Sequence, residues 1–294
     1  MNRLDESSVH LILSDIPYGI GADDWDVLHA NTNSGYQGTS PAQAKAGAVF
    51  QRRGKPINGW SEADRLIPKQ YQEWCEAWAS SWFRALRPGG SAVVFAGRRL
   101  AHRCVVAMED AGFSLKDVLG WVKPTARHRA QRLSVVYERR GDEESAERWQ
   151  GWRVGNLRPT LEPILWFVKP YKIGTTIADN VLQHGVGAYN QEAYASYSPG
   201  IQNVIEAGFD RGELGLHPTQ KPVRLMAALI ELTTSPGQLV VDPFAGSGST
   251  LVAAKSLGRE SLGIELSEIH ADTARSRLAA VNPQQRQLDL SATG

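Results

Sequence analysis

The chain has 294 residues, 42% of them hydrophobic, enough for one large α/β domain with insertions or for a core plus a small second domain. Its 32 basic and 31 acidic residues leave a formal charge of +1, so global charge selects no class of partner. Two cysteines, Cys75 and Cys104, argue against a disulfide framework and suit a reducing compartment; with no apolar run of membrane-spanning length and no signal-peptide pattern, the expected location is the cytoplasm.

In chain order, residues 9–13 form a short apolar run ending in Ser14-Asp15-Ile16-Pro17-Tyr18-Gly19, which reads as a buried strand stopped by proline and glycine. Residues 31–68, rich in Gly, Ser, Gln and Pro, read as a long loop. Tyr71, Trp74, Cys75, Trp78, Trp82 and Leu86 recur at three- and four-residue steps, predicting a helix that Pro88-Gly89-Gly90 stops. That spacing assigns the tryptophans to the core rather than to base stacking. Strands are predicted over 92–96, 118–122 and 164–168. The charged stretch 127–158 reads as an insertion. Between Gly97 and Arg140, ten Lys/Arg stand against four Asp/Glu, a basic face that suits phosphates and equally suits a solvated helix surface. Residues 171–215 read as irregular. Beyond them the pattern predicts an amphipathic helix over 223–232, a strand over 239–241, a helix over 249–257, a strand over 261–264 and a helix over 268–280. Strands alternating with helices imply an α/β fold with a doubly wound, mostly parallel sheet.

Such a sheet binds ligands at the carboxyl ends of its strands. Asp242-Pro243-Phe244-Ala245-Gly246-Ser247-Gly248-Ser249-Thr250 stands there, and its glycines let the backbone approach a ligand and aim helix N–H groups at it. Glu265, 23 residues after Asp242, closes the next strand, where an acid can take two ribose hydroxyls. A Gly-x-Gly alone is often only a tight turn; the second acid turns it into a cofactor loop. A P-loop is excluded because no Gly-Lys-Ser/Thr follows, and Leu251 stands where a dinucleotide fingerprint needs its third glycine. Asp242 ahead of the glycines suits a cationic ligand better than a pyrophosphate. S-adenosylmethionine carries a sulfonium and an α-amino group.

Asp15-Ile16-Pro17-Tyr18 should lie at another strand end in the same crevice. An exocyclic amino group on a base is a poor nucleophile, because its lone pair is delocalised into the ring. Acceptors on both of its N–H groups, here the Asp15 carboxylate and the Ile16 carbonyl, would localise that pair and aim it at a methyl sulfonium. Pro17 stiffens the turn, and Tyr18 offers a ring on which a flipped base can stack.

On these residues the chain resembles the amino-type DNA methyltransferases (N6-adenine or N4-cytosine), in the permuted motif order of the β class. Asp15-Ile16-Pro17-Tyr18 is similar to that family's Asp-Pro-Pro-Tyr, and Trp25-Asp26 to the Trp-Asp that follows it. Arg87-Pro88-Gly89-Gly90, Glu162-Pro163-Ile164-Leu165-Trp166-Phe167 and His217-Pro218-Thr219-Gln220-Lys221-Pro222 are similar to later family segments, in the right order. The resemblance implies a Rossmann-like, S-adenosylmethionine-dependent methyltransferase fold, circularly permuted and with insertions. Residues 1–170 would be its catalytic half, with insertions at 29–68 and 127–158; 171–216 would be a target-recognition region, and 217–294 the cofactor-binding half. It implies cofactor contacts from Thr219, Lys221, Asp242, Phe244, Gly246, Ser247, Gly248 and Glu265, with Phe244 against the cofactor and Lys221 serving the carboxylate end or the loop around it. Asp15, Ile16, Pro17 and Tyr18 would form the catalytic floor. The implied partner is double-stranded DNA in a restriction–modification setting, with neither metal nor membrane, and members with this motif order often dimerise.

Two departures stand out. Ile16 replaces the family's first proline, which keeps the backbone acceptor but loosens the turn, and only 14 residues precede Asp15, too few for the acidic strand end that usually meets the cofactor's adenine. The acid at the first tetrad position favours adenine N6 over cytosine N4. C5-cytosine chemistry needs a nucleophilic Cys, normally after Pro, and neither Cys75 nor Cys104 fits. Specificity is expected between Tyr171 and Leu216, with phosphate contacts from Arg127, Arg129, Arg132, Arg139 and Arg140. An RNA- or protein-directed methyltransferase and a catalytically silent DNA-binding relative remain the alternatives.

Overall fold

The computed structural model of the chain describes residues 1–18, 62–126, 130–210, 213 and 220–281. Trp25, Asp26, Arg127, Arg129 and Thr219, and residues 31–61 of the expected loop, lie outside them. Seven strands form one sheet in the order β7-β3-β6-β2-β1-β8-β9. They are β1 (Val9–Asp15), β2 (Leu86–Phe95), β3 (Ser114–Val122), β6 (Leu161–Val168), β7 (Val204–Glu206), β8 (Leu239–Asp242) and β9 (Glu260–Gly263). β1 pairs parallel with β2 and β8, β8 with β9, and β3 with β7. Only β6 runs antiparallel to its neighbours, β2 and β3. This is the doubly wound, mostly parallel sheet that the strand–helix alternation predicts.

The two-residue period of the strands divides the core between the two faces. Leu11 and Leu13 of β1, Val93 and Phe95 of β2, and Ile164 and Trp166 of β6 point to one face, where they meet Leu225, Leu229 and Ile230 of α7 (Val223–Thr233). Ile12, Ala92, Val94, Leu165 and Phe167 point to the other. There they meet Tyr71, Cys75 and Trp82 of α1 (Glu62–Ala85), and Cys104 and Met108 of α2 (Ala101–Asp110). Burying each large apolar side chain contributes about 1.5–3 kcal/mol, and the double layer fixes the register of every strand.

Several elements depart from the sequence reading. α1 begins at Glu62, so residues 62–68 are helical rather than loop, with Pro68 inside the helix. The helix ends at Ala85, three residues before Pro88-Gly89-Gly90, and that tripeptide lies inside β2. The pairing of β1 with β2 jumps from Val9↔Leu86 to Leu11↔Ser91 across it, so the proline and glycines make a bulge instead of a helix stop. The helix expected to be amphipathic, α7, is buried on nearly all sides, because it is covered both by the sheet and by its neighbouring helices. Residues 171–215, read as irregular, contain α5 (Ile177–His184), α6 (Gln191–Ala195) and β7. Thr176 and Asn190 cap the two helices with their side-chain oxygens.

Topology decides what reaches the crevice. The carboxyl ends of β1, β2, β8 and β9 open on one side of the sheet, and the antiparallel β6 delivers its first residues, Leu161 and Glu162, to that same side. The span 123–160 leaves β3 and re-enters β6 there, closed at its base by Lys123 N–H donating to the Thr160 carbonyl at 2.8 Å. It carries β4 (Gln131–Arg132), α3 (Leu133–Glu138), α4 (Glu143–Arg148) and β5 (Arg153–Val154). α5 packs at the opposite end, where Asn180 Nδ2 donates to the Pro88 carbonyl at 3.1 Å. Of the segment expected to read DNA, β7 stands on the crevice side, beside the carboxyl end of β3.

In α7, Leu229→Ala should cost about 2–5 kcal/mol in urea unfolding, since the fully buried leucine leaves a cavity between helix and sheet. The same change at Leu66, 48% exposed on α1, should stay within about 0.5 kcal/mol.

Candidate active site

β1 ends in Ser14-Asp15, and the turn beyond it is held from three sides. The Ile16 N–H donates to the Phe95 carbonyl at 3.3 Å, and the Ile16 side chain is buried in the core, 1% exposed. The Tyr71 hydroxyl of α1 donates to the Pro17 carbonyl at 2.8 Å. Tyr18 lies over Gly97, where any Cβ would come within 2.9 Å of the Tyr18 Cβ, so only glycine admits the ring.

Four further groups converge here. The Tyr18 hydroxyl is 2.9 Å from Asp15 Oδ1 and also hydrogen-bonded to Glu162 Oε1, so its single proton serves one carboxylate or the other. Lys221 Nζ lies 2.5 Å from Asp15 Oδ2, 3.2 Å from Glu162 Oε1 and 3.1 Å from the Tyr18 oxygen. Lys123 closes on Glu162 Oε2. Two carboxylates face two ammonium groups, which is what makes a buried ionic cluster tolerable. Burial pushes the Glu162 carboxyl up, but Lys221 and Lys123 outweigh it and hold the group at about 2. The Asp15 carboxyl stands above its ordinary range because of burial and the Glu162 charge, with Lys221 opposing. Burial and the two carboxylates also keep the Tyr18 phenol protonated.

The glycine loop begins at Asp242, 3% exposed at the end of β8. Its carboxylate accepts from Ser14 Oγ at 2.6 Å, from Thr250 Oγ1 at 2.6 Å and from the Phe244 N–H at 3.1 Å. Burial raises it to about 6, against the pull of these donors. Gly248, at φ +81°, precedes α8 (Ser249–Ser256), and a Cβ there would come 2.8 Å from the Ala274 Cβ of α9 (Glu268–Ala280). Glu265, two residues beyond β9, ties the loop down. Its Oε2 accepts from the Gly246 N–H and its Oε1 from the Ser267 N–H, both at 2.8 Å. Arg277 Nη1 donates to the Ser247 carbonyl at 2.7 Å. The Phe244 ring rests on Trp74, Trp78 and Trp82, centroids 5.7, 6.2 and 6.3 Å away. The tryptophan stripe therefore does more than fill the core. Trp82 is buried, while the half-buried Trp74 and Trp78 wall the loop.

Asp15, Lys221, Asp242, Phe244, Gly246 and Ser247 line a single cleft, so residues from opposite ends of the chain meet. Lys221, expected to serve the carboxylate end of a cofactor or the loop around it, turns its ammonium to Asp15 and Glu162. The sequence reading missed Glu162, Lys123, Ser14, Gly97 and Gln220 as site residues. Gln220 also lines the cleft, and both its amide atoms are buried without a hydrogen-bond partner among the described residues, which suits them to a bound molecule. A signal existed for Glu162: a carboxylate directly ahead of the apolar run Pro163–Val168 must be buried with a cation or stand at a site.

The sequence matches the DNA methylase family profile over residues 9–276. The type II methyltransferase M.HindIII of Haemophilus influenzae strain Rd is 54% identical over 272 residues, covering 90% of this chain and 87% of that protein. Among solved structures, the M1.HpyAVI–SAM complex aligns with a TM-score of 0.52 at 21% identity, over 94% of this chain and 90% of that one. The cytosine-N4-specific PvuII DNA methyltransferase aligns at 0.60 with 16% identity, over 99% and 86%. At those identities the two structures share the fold.

Affinity of the loop for a cationic ligand should fall as pH drops through about 6, because protonation removes the Asp242 charge. Ser14→Ala deletes a donor to the ionised form and should move the midpoint upward. Calorimetric titration with S-adenosylmethionine between pH 5 and 8 measures both shifts.

Proposed function

This chain belongs to the DNA methylase family of N6- and N4-directed enzymes, and from that premise we propose that it methylates the N6 amino group of adenine in duplex DNA, with the base turned out of the helix. S-adenosylmethionine is the methyl donor, supplying an electrophilic methyl group on a sulfonium. The observation that carries the reading is the meeting, in one cleft, of Asp15, the acid that opens the acid–aromatic turn, and a glycine loop headed by a buried carboxylate.

Each residue then has a task that its chemistry allows. Asp242 faces the positive end of the donor. Glu265 retains lone pairs for ribose hydroxyls after accepting two backbone N–H groups. Gly246, Ser247 and Gly248 let main chain approach the donor, and Phe244, backed by three tryptophans, packs against it. Asp15 and the Ile16 carbonyl accept the two N–H bonds of the target amine, so that its lone pair is localised and aligned with the methyl group. Because only the Ile16 carbonyl takes part, the buried isoleucine side chain serves as well as the family's proline. Asp15 also stands ready for the proton that the methylated amine sheds, since its raised pKa brings it nearer to neutral pH. The Tyr18 ring, seated on Gly97, is the surface for the flipped base.

The acid at the first tetrad position supports adenine over cytosine. Target recognition is assigned to residues 171–216, above all to those from β7 onward, with Arg132, Arg139 and Arg140 of the insertion reaching phosphates. Among the described residues no helix is long and apolar enough to cross a membrane. We place the enzyme in the cytoplasm, beside its DNA.

Asp15→Ala should reduce transfer of labelled methyl to duplex DNA by at least about 100-fold. Donor affinity by calorimetry should stay within about twofold, since Asp15 acts on the amine. Transfer by the parent enzyme to RNA or protein but not to duplex DNA would refute the reading.

A further inference from the structure

Behind Asp15 and Lys221 of the cleft stands one carboxylate that methyl transfer as proposed does not use. Glu162 enters from β6, the strand that runs against all its neighbours, and is 6% exposed. Its Oε2 is held by Lys123, which follows β3, and its Oε1 is shared by the Tyr18 hydroxyl and the Lys221 ammonium. Those two donors also occupy Asp15, one on each oxygen. If the proposed function holds, the target amine must donate to Asp15, in competition with both. An ammonium 2.5 Å from Asp15 also opposes the positive charge that methyl transfer places on the amine nitrogen.

We propose that Glu162 is a positioning residue that takes over the Tyr18 hydroxyl and the Lys221 ammonium when the target amine occupies Asp15. The transfer is short. Lys221 already lies 3.2 Å from Glu162 Oε1, and Tyr18 needs only to turn its hydroxyl proton from one carboxylate to the other. Lys123 keeps Glu162 ionised and pinned by Oε2, so that Oε1 faces Tyr18 and Lys221 in both states. No donor is left unpaired at any stage, and the amine finds Asp15 accessible.

Among the described residues, the charged and titratable groups around Asp15 and Glu162 are Tyr18 on the β1 turn, Lys123 after β3, Lys221 before α7 and Asp242 on β8. Asp15 must be ionised to accept the amine, so its protonation sets the acid limb of the rate. Glu162→Gln removes a negative charge that raises the Asp15 pKa and commits Lys221 to Asp15; both effects move the acid limb to lower pH. Lys123→Gln leaves the Glu162 charge less neutralised and moves the limb to higher pH.

The test is the single-turnover rate of methyl transfer to unmodified duplex DNA at saturating S-adenosylmethionine, from pH 5 to 9. Saturation keeps the titration of Asp242 out of the rate. Glu162→Gln should slow transfer about 100-fold, with its acid limb about one pH unit lower and its donor affinity unchanged by calorimetry. Glu162→Asp, which keeps the charge, should recover part of the rate and keep the parent limb. Should Glu162→Gln fail to fold, the upward shift in Lys123→Gln carries the same test. Acid limbs that coincide in the parent and in every folded variant overturn the proposal, as does a rate loss that merely follows donor affinity or folded fraction. A parent enzyme inert on DNA fails the proposed function instead, so the two failures are distinct.

Discussion

The cleft exists because β1 and β8, separated by more than two hundred residues of chain, pair side by side with Leu11 opposite Val240 and Ile12 opposite Val241. That register sets Ser14 beside Asp242, where the 2.6 Å hydrogen bond between them joins the strand that carries Asp15 to the strand that carries the glycine loop. A parallel pair of central strands ends on one side of the sheet, so both turns open into the same space. Motif order along the chain is then immaterial to the chemistry. A chain in which the Asp15–Tyr18 turn precedes the Asp242–Thr250 loop closes the same cleft as one with those strands in another order.

The second constraint is electrostatic. Asp242, Glu162 and the largely buried Asp15 lose most of their hydration, and each is compensated differently. Asp242 relies on two hydroxyls and one backbone N–H, which leave its carboxyl high, at about 6. Glu162 relies on two lysines, which leave it low, at about 2. Asp15 shares one of those lysines, yet burial and the Glu162 charge hold its carboxyl above the ordinary range. Neighbouring carboxylates are thereby pushed apart in acidity, which is how one cleft can both hold a cation and manage a proton.

Much of the architecture was legible because it rests on local patterning. The apolar runs at 9–13 and 164–168, the helix–strand alternation after residue 222 and the stripe from Tyr71 to Trp82 each signal one face of one element. The turn at Asp15–Tyr18 and the loop at Asp242–Thr250 were legible as chemistry because a glycine pair, a proline and an acid at strand ends have few other uses. What was not legible depended on tertiary pairing. Pro88-Gly89-Gly90 has the composition of a helix stop and became a bulge only because β1 and β6 hold it in the sheet. α7 has polar residues enough to look amphipathic, yet both of its sides are covered. Glu162 and Lys123 sit at the ends of strands whose direction relative to β1 no local pattern reveals; the antiparallel course of β6 brings Glu162 to the crevice side, where β3 ends beside Lys123. Lys221 was legible as a site residue, whereas the acid it would choose was not.

The measurement that bears most directly on this account is a mass-spectrometric nucleoside analysis of plasmid DNA from cells expressing the chain. The account predicts N6-methyladenine at one recurring sequence. N4-methylcytosine in its place would contradict the assignment of the base. Unmodified DNA, with the protein folded and binding S-adenosylmethionine, would contradict the account of the cleft as a site for DNA amino groups.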